Sequence, residues 1–218
     1  KKETAKDLVL IAGSTEGQAR FEPYLDMLTQ QFNVLLIDNP GVGTTPYQAV
    51  FTADELAVKY QTIIDTLGID KYLLLGHSFG GFKMAANKPD RVSKLVLVGS
   101  SAGSIMQERI LNYQLRFARL GPKSLFGAGF LLNQAKDFDK YKQEMLTLEP
   151  KLKFSYVLAS SKESTISDIE KITAKTLVIH GKDDPIIDYP HAIQLASLIK
   201  KSSILGLLGV GHYPYMEN

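Results

Sequence analysis

The chain has 218 residues, of which 44% are hydrophobic and 22% are charged, as in an ordinary globular protein. Its 25 Lys and Arg residues nearly balance 23 Asp and Glu residues, giving a net charge of +2, and no run of basic residues suggests a nucleic-acid partner. It contains no cysteine, which excludes disulfide bonds, thiolate metal sites and cysteine nucleophiles.

Apolar runs in the sequence are all too short to span a membrane, and no secretory signal is visible. The absence of cysteine fits a reducing compartment, so we expect a cytoplasmic protein without a membrane span. Nothing in the pattern of residues indicates an oligomeric state.

The first forty residues contain two short apolar runs that predict buried strands. Residues 8–12 are followed by a glycine-containing loop, and residues 34–38 by a turn containing Pro40 and two glycines. Between them, apolar residues at helical spacing predict a helix over about residues 21–31.

A long amphipathic helix is predicted to follow. Thr52 and Glu55 form the capping-box pattern at its start, and Gly68 is suited to its end. The apolar face predicted for this helix consists of Leu56, Tyr60, Ile63, Ile64 and Leu67.

The next strand ends in a Gly-x-Ser-x-Gly pattern centred on Ser78. A serine on a sharp turn between a strand and a helix has a strained backbone, and Gly76 and Gly80 remove side chains that would clash there. We expect the hydroxyl of Ser78 to stand clear of the sheet, beside N–H groups at a helix N-terminus. A helix over about residues 79–87 and a strand over residues 95–99 follow.

A different pattern occupies the middle of the chain. No run with strand character lies between about residues 102 and 168, and a helical stripe contains Met106, Ile110, Tyr113, Phe117 and Leu120. We therefore predict a helical cap over residues 102–167, inserted into a core formed by residues 1–101 and 168–218. Its apolar content predicts an apolar pocket, for which the substrate-binding candidates are Met106, Ile110 and Tyr113.

Strand character resumes at residues 176–180 and again at about 203–208, with a helix over about residues 190–201 between them. Short buried strands that alternate with helices are typical of an α/β fold, in which helices cover both faces of a mostly parallel central sheet. We predict this fold class.

Three reactive side chains follow three of the predicted strands: Ser78, Asp184 and His212. The carboxyl ends of parallel strands lie at one edge of the sheet, where ligands bind. There an imidazole can take the serine's proton, and a carboxylate on its other nitrogen can fix the tautomer and stabilise the imidazolium. Asp183, directly beside Asp184, is the alternative acid.

These motifs resemble the α/β-hydrolase superfamily across essentially the whole chain. The order Ser, Asp, His along the sequence is the order found in that superfamily. The segments that match are the turn at residues 38–44, the turn around Ser78, the passage at residues 89–97, the Gly-x-x-Asp at residues 181–184, and residues 211–214 with Glu217. The resemblance implies that Ser78 is the nucleophile, Asp184 the acid and His212 the base.

The resemblance also implies an oxyanion hole made by the backbone N–H groups of Ser14 and Phe79. The chain departs from the family at Ala12, where histidine is common. Because the donors belong to the backbone, we expect this change to alter the support of the loop more than the donors themselves.

Other titratable residues near these motifs are predicted to stay outside the chemistry. Glu16, close to the loop that carries Ser14 (the oxyanion loop), is interpreted as a solvated carboxylate. His77 is interpreted as a structural residue or a wall of the pocket, and His180 and His191 as structural or exposed residues.

The predicted function is hydrolysis of a carboxylic ester or related acyl compound, a small and apolar molecule, without a cofactor or metal. The same motifs serve C–C bond hydrolysis, hydrolysis of amides from a peptide N-terminus, thioester hydrolysis and acyl transfer, and the fold does not choose among them. Epoxide and haloalkane hydrolysis are disfavoured, because those relatives carry aspartate where Ser78 stands. A small-molecule receptor that keeps the fold and the triad is the alternative outside the enzymes.

Overall fold

The structure is a computed structural model that describes residues 4–14, 16–47, 52–78, 82–101, 115, 119–127 and 166–217. Most of the predicted cap, including Met106, Ile110 and Tyr113, lies outside the described residues, and so does Phe79. The division into core and cap therefore stays a prediction. Within the described ranges, no helix is both long and apolar enough to cross a membrane.

Six parallel strands form one central sheet. They are β1 (Lys6–Ile11), β2 (Phe32–Ile37), β3 (Tyr72–His77), β4 (Val92–Val98), β5 (Lys175–Gly181) and β6 (Ser202–Leu207). Their order across the sheet is β2-β1-β3-β4-β5-β6, and every neighbouring pair is parallel. The predicted α/β fold with a parallel sheet flanked by helices is confirmed.

The described helices are α1 (Leu25–Gln31), α2 (Ala53–Thr66), α3 (Phe82–Asn87), α4 (Ile166–Glu170), α5 (Tyr189–Leu198) and α6 (Pro214–Glu217). Short 3₁₀ helices occupy Gln18–Arg20, Glu22–Tyr24 and Gly121–Leu125. The first α-helix starts later than the sequence predicts, because two 3₁₀ turns lie between β1 and Leu25.

The start and end of α2 follow the predicted pattern. The N–H of Glu55 donates to Thr52 Oγ1 at 3.1 Å, and the N–H of Thr52 donates to Glu55 Oε2 at 2.8 Å. Gly68 follows the helix with φ 65°, a conformation that glycine adopts without steric cost. The predicted capping box and glycine stop are confirmed.

The predicted apolar face of α2 is only partly right. Leu56, Tyr60 and Ile64 are buried, but Ile63 and Leu67 are 41% and 54% exposed. At 100° per residue, Ile63 lies at the edge of the face defined by the three buried residues, and Leu67 lies beyond the last helical residue.

The sheet separates two apolar layers, because successive residues of a strand point to opposite faces. Val9 and Ile11 of β1 pack in the layer that contains buried residues of α2, α3, α4 and α5. Leu8 and Leu10 pack in the opposite layer with Phe21 and, at its margin, residues of α1. Helices therefore cover both faces of the sheet. The predicted site lies at the edge formed by the carboxyl ends of the strands.

The strand order reverses between β1 and β3. From β1 the chain passes to β2 on one side and returns to place β3 on the other side. In open parallel sheets this switch point opens a crevice at the carboxyl ends of the two strands. Ser14 lies in the loop after β1 and Ser78 directly after β3, so both border this crevice.

Candidate active site

Ser78 occupies the sharp turn that the sequence predicts. Its φ is 52°, the only positive φ of a non-glycine residue in the described ranges. Such a conformation costs of order 1–3 kcal/mol and persists only where the surrounding structure enforces it. The N–H of Ser78 donates to the carbonyl of Val98 at 2.8 Å, which fixes the turn to the end of β4.

Asp184 and His212 are in direct contact. Asp184 Oδ2 lies 2.7 Å from His212 Nδ1, while Asp184 Oδ1 accepts the N–H groups of Ile186 and Ile187 at 2.8 and 3.0 Å. Asp184 is buried, whereas the neighbouring Asp183 is exposed. The geometry therefore selects Asp184 rather than Asp183 as the partner of His212.

The charges of this pair are stabilised by each other. Burial raises the pKa of the Asp184 carboxyl, but the charge of His212 and hydrogen bonds from His180 and His212 outweigh it and hold that pKa well below its usual value. Burial lowers the pKa of His212, but the charge of Asp184 and its hydrogen bond raise it above 6.5. His212 is thus suited to accept a proton and to hold it as an imidazolium.

The loop of His212 is held by backbone contacts. The N–H of His212 donates to the carbonyl of Leu125 at 2.8 Å. The carboxylate of Glu217 accepts the N–H groups of Gly127 and Gly211 at 2.8 Å each and that of Tyr213 at 3.1 Å. A Cβ on Gly211 would lie 2.4 Å from the backbone nitrogen of Gly127, so only glycine permits this approach.

His77 brings the loops of Ser78 and His212 together. The ring of His77, the residue before the nucleophile, lies 4.9 Å from the ring of His212, and its Nε2 is 2.9 Å from the carbonyl oxygen of His212. The two loops are therefore adjacent.

The predicted oxyanion loop packs against the turn of Ser78. The N–H of Glu16 donates to the carbonyl of Gly13 at 3.1 Å, which closes a turn that contains Ser14. A Cβ on Gly13 would lie 3.1 Å from Ser78 Cβ and 2.8 Å from His77 Nδ1. Gly13, the residue before Ser14, thus lies against the turn of Ser78, and Phe79, the predicted partner of Ser14, lies outside the described residues.

Asn39 supports the same loop, a contact that the sequence analysis missed. Its buried amide donates to the carbonyls of Gly13 at 2.6 Å and Ala12 at 3.4 Å, and its oxygen accepts the hydroxyl of Tyr60. The signal that could have found it is an amide directly after an apolar strand, within the turn at residues 38–44 that resembles the family. This support comes from side chains other than the histidine that the family commonly carries at Ala12.

The interpretation of Glu16 as a solvated carboxylate is wrong. The residue is 2% exposed and contacts Gly13, His77, Arg20 and Tyr213. Burial raises its pKa, but the charge of His77 and the hydrogen bond to it lower that pKa to about 2. The contacts of Glu16 with His77 and Tyr213 join residues that are far apart in the sequence, so local sequence does not reveal them.

The remaining histidines are consistent with structural roles. His180 is buried, and its Nε2 lies 2.8 Å from the carbonyl oxygen of Ile187 and 3.3 Å from Asp184 Oδ2. His180 therefore supports Asp184, the predicted acid, rather than Ser78. His191 is partly exposed on α5. Among the residues that the structure describes, no group of three or more His, Cys, Asp or Glu side chains could hold a metal ion.

A family model described as the alpha/beta hydrolase family matches residues 8–218. The chain belongs to the alpha/beta hydrolase family. One curated relative is a protein of Stutzerimonas stutzeri that bears the name of the carbamate hydrolase RutD. It is 26% identical over 95% of this chain and 85% of its own length. The 2-hydroxy-6-oxo-2,4-heptadienoate hydrolase of Pseudomonas putida is 25% identical over 96% of this chain and 83% of its own length.

Solved structures share the fold at lower identity. The enol-lactonase of Burkholderia xenovorans matches with a TM-score of 0.86 and 21% identity, over 98% of this chain and 86% of that one. A thermophilic esterase of Thermogutta terrifontis matches with a TM-score of 0.83 and 22% identity, over 98% and 85%. At this identity the likeness establishes the alpha/beta hydrolase fold, and the chemistry has to be argued from the site.

Proposed function

We propose that this alpha/beta hydrolase cleaves a carboxylic ester or related acyl compound through an acyl-enzyme on Ser78. The observation that carries the proposal is the 2.7 Å contact between Asp184 and His212, together with a serine held at φ 52° on the turn after β3. A carboxylate, an imidazole and a strained serine from the ends of three strands are the parts that serine hydrolysis needs.

In the first half of the reaction His212 is the general base. Its Nδ1 carries a hydrogen directed at Asp184, so the lone pair of Nε2 is free to take the proton of the Ser78 hydroxyl. The serine oxygen then attacks the substrate's carbonyl carbon, and the imidazolium that forms is stabilised by the Asp184 carboxylate. Return of this proton to the leaving alcohol breaks the ester bond and leaves the acyl group on Ser78.

The negative charge on the carbonyl oxygen needs preorganised donors. In this proposal they are the backbone N–H groups of Ser14 and Phe79, and one such donor contributes about 3 kcal/mol of transition-state stabilisation. In the second half His212 activates a water molecule, which attacks the acyl-enzyme, releases the acid and restores Ser78. The substrate's apolar acyl group would lie against Met106, Ile110 and Tyr113 of the predicted cap.

The assignment of the nucleophile is tested by labelling with a fluorophosphonate probe. The wild type is expected to react at one site, and Ser78→Ala is expected to lose the label completely. Ser203→Ala, an exposed serine of β6, is the matched control and should label like the wild type. Full labelling of the Ser78→Ala protein would remove this residue from the mechanism.

C–C bond hydrolysis is the second candidate, and the 25% identical heptadienoate hydrolase favours it. A substrate panel separates the candidates: p-nitrophenyl esters of increasing chain length, a 2-hydroxy-6-oxo-2,4-dienoate and a simple carbamate. The main proposal expects the highest kcat/KM on an ester. A higher value on the dienoate assigns C–C chemistry to the same triad, and binding without turnover of any compound assigns a receptor.

A further inference from the structure

Glu16 and His77 are buried beside the proposed catalytic groups but take no part in the reaction described above. Glu16 is 2% exposed and His77 is 0% exposed. A carboxylate taken out of water destabilises the fold unless it is paired and hydrogen-bonded. The partners that compensate Glu16 therefore indicate what this residue holds together.

The carboxylate of Glu16 joins three loops. Its Oε2 accepts the N–H of Gly13 at 3.2 Å, in the loop after β1, and lies 3.1 Å from Nδ1 of His77, at the end of β3. Its Oε1 accepts the hydroxyl of Tyr213, in the loop after β6. Arg20 Nε lies 3.6 Å from the same oxygen. The loops tied together carry the proposed oxyanion donor, the nucleophile and the base.

The protonation of His77 follows from its two partners. Nε2 faces the carbonyl oxygen of His212 at 2.9 Å, and a carbonyl only accepts, so Nε2 carries a hydrogen. Nδ1 faces an oxygen of Glu16, and an ionised carboxylate also only accepts, so Nδ1 carries a hydrogen as well. The hydroxyl of Tyr215 is 3.4 Å from Nδ1, too far to compete with Glu16.

We propose that Glu16 and His77 form a buried carboxylate–imidazolium pair that positions the oxyanion loop against the loop of His212. The inference rests on the proposed function of Ser78 and His212. Glu16 orients the N–H of Gly13, the residue before the oxyanion donor Ser14. His77 holds the backbone carbonyl of His212. Both side chains are buried and act through other residues, so both are positioning residues.

The protonation state is tested without any activity measurement, by NMR of wild-type protein labelled with ¹⁵N at histidine. At about pH 8 an ordinary histidine, with a pKa near 6.5, is neutral and has one protonated nitrogen. One buried histidine is expected to show two protonated ring nitrogens, and that signal should vanish in His77→Gln. A spectrum in which His77 has only one protonated nitrogen would overturn the proposal.

The positioning role is tested by the kinetics of Glu16→Gln. In this variant the side-chain volume is kept, but the charge that pairs with His77 is lost and only one of the two acceptor oxygens remains, so the oxyanion loop is held less firmly. Because the hole acts in the transition state, kcat on a p-nitrophenyl ester should fall about 10- to 100-fold, with KM changed less than about twofold. Glu170→Gln, at an exposed position of α4, is the control and should match the wild type.

The outcomes separate this inference from the proposed function. An unchanged kcat in folded Glu16→Gln protein, or a loss that lies only in KM, overturns the positioning role and leaves the Ser78 labelling result intact. If the wild type turns over no substrate, the function fails, but the NMR experiment still decides whether the charged pair exists. If His77→Gln does not fold, the doubly protonated ring is assigned in the wild-type spectrum through its connection to the backbone of His77, so the pair stays testable.

Discussion

Two buried histidines among the described residues, His77 and His212, contact a carboxylate through Nδ1, and they differ in what the far ring nitrogen contacts. In the Asp184–His212 pair, Nδ1 contacts the carboxylate, and within the described ranges no hydrogen-bond partner occupies Nε2. In the Glu16–His77 pair, Nδ1 contacts the carboxylate and Nε2 is held by the carbonyl of His212. Of these two described histidines, His212 is therefore the one with a nitrogen available to take a proton.

The comparison shows that burial beside a carboxylate does not by itself make a histidine a base. Both rings are almost completely buried, and they lie 4.9 Å apart. Their proposed roles diverge because the far nitrogen of His212 has no hydrogen-bond partner within the described ranges, whereas that of His77 contacts a backbone oxygen. A histidine that acts as a base needs a ring nitrogen with a free lone pair. A histidine that holds two loops together needs a hydrogen-bond acceptor at each ring nitrogen.

Substitution of the two histidines should give the largest difference. His212→Gln removes the general base, and kcat on a p-nitrophenyl ester should fall about 10⁴- to 10⁶-fold. His77→Gln removes one side of the positioning pair and should cost about 10- to 100-fold in kcat. Stopped-flow or steady-state assays of both variants measure the gap, and equal losses would contradict the division of roles.

The two neighbouring aspartates offer a second contrast. Asp184→Asn keeps the shape of the acid but removes the charge that orients and stabilises His212, so kcat should fall about 10⁴-fold. Asp183→Asn is the matched control, because this exposed side chain lies one residue away and should leave kcat unchanged. A large loss in the control, with little loss in Asp184→Asn, would transfer the acid role to Asp183.

The pH dependence should give the smallest effect. Burial alone lowers the pKa of His212, but Asp184 raises it above 6.5, and the base must be neutral to act. The ester kcat/KM should therefore rise with pH through a midpoint above 6.5, and this midpoint should move down in the residual activity of Asp184→Asn. A wild-type midpoint below 6.5 would show that Asp184 does not dominate the environment of His212.

Much of the fold was predictable because it depends on local patterns. The apolar strand runs, the capping box of Thr52 and Glu55, and the stop at Gly68 are decided by residues close in sequence. The turn of Ser78 was predictable for the same reason, since the flanking glycines leave a strand-to-helix turn as the natural conformation. Ile63 and Leu67 were misplaced because helical spacing alone does not fix the width of a buried face.

The supporting contacts of the site could not be predicted in this way. Glu16 and His77 are 61 residues apart in sequence, and Glu16 and Tyr213 are 197 apart. Only the order of strands in the sheet brings their loops together, and a charged residue in a glycine-containing loop has the local pattern of a solvated one. The role of Asn39 could not be predicted for a related reason, because its amide donates to the carbonyl of Gly13, in the loop after the neighbouring strand.

The contact between residues 125–127 and the loop of His212 has a consequence for protein engineering. These residues fall inside the range predicted as the cap, yet Leu125 accepts the N–H of His212 and Gly127 donates to Glu217. Grafting a whole insertion from a relative would thus replace a support of His212, the proposed base, along with the predicted acyl pocket. We expect a chimera that retains residues 121–127 of this chain to exchange the rest of the predicted cap while His212, the proposed base, keeps its native contacts.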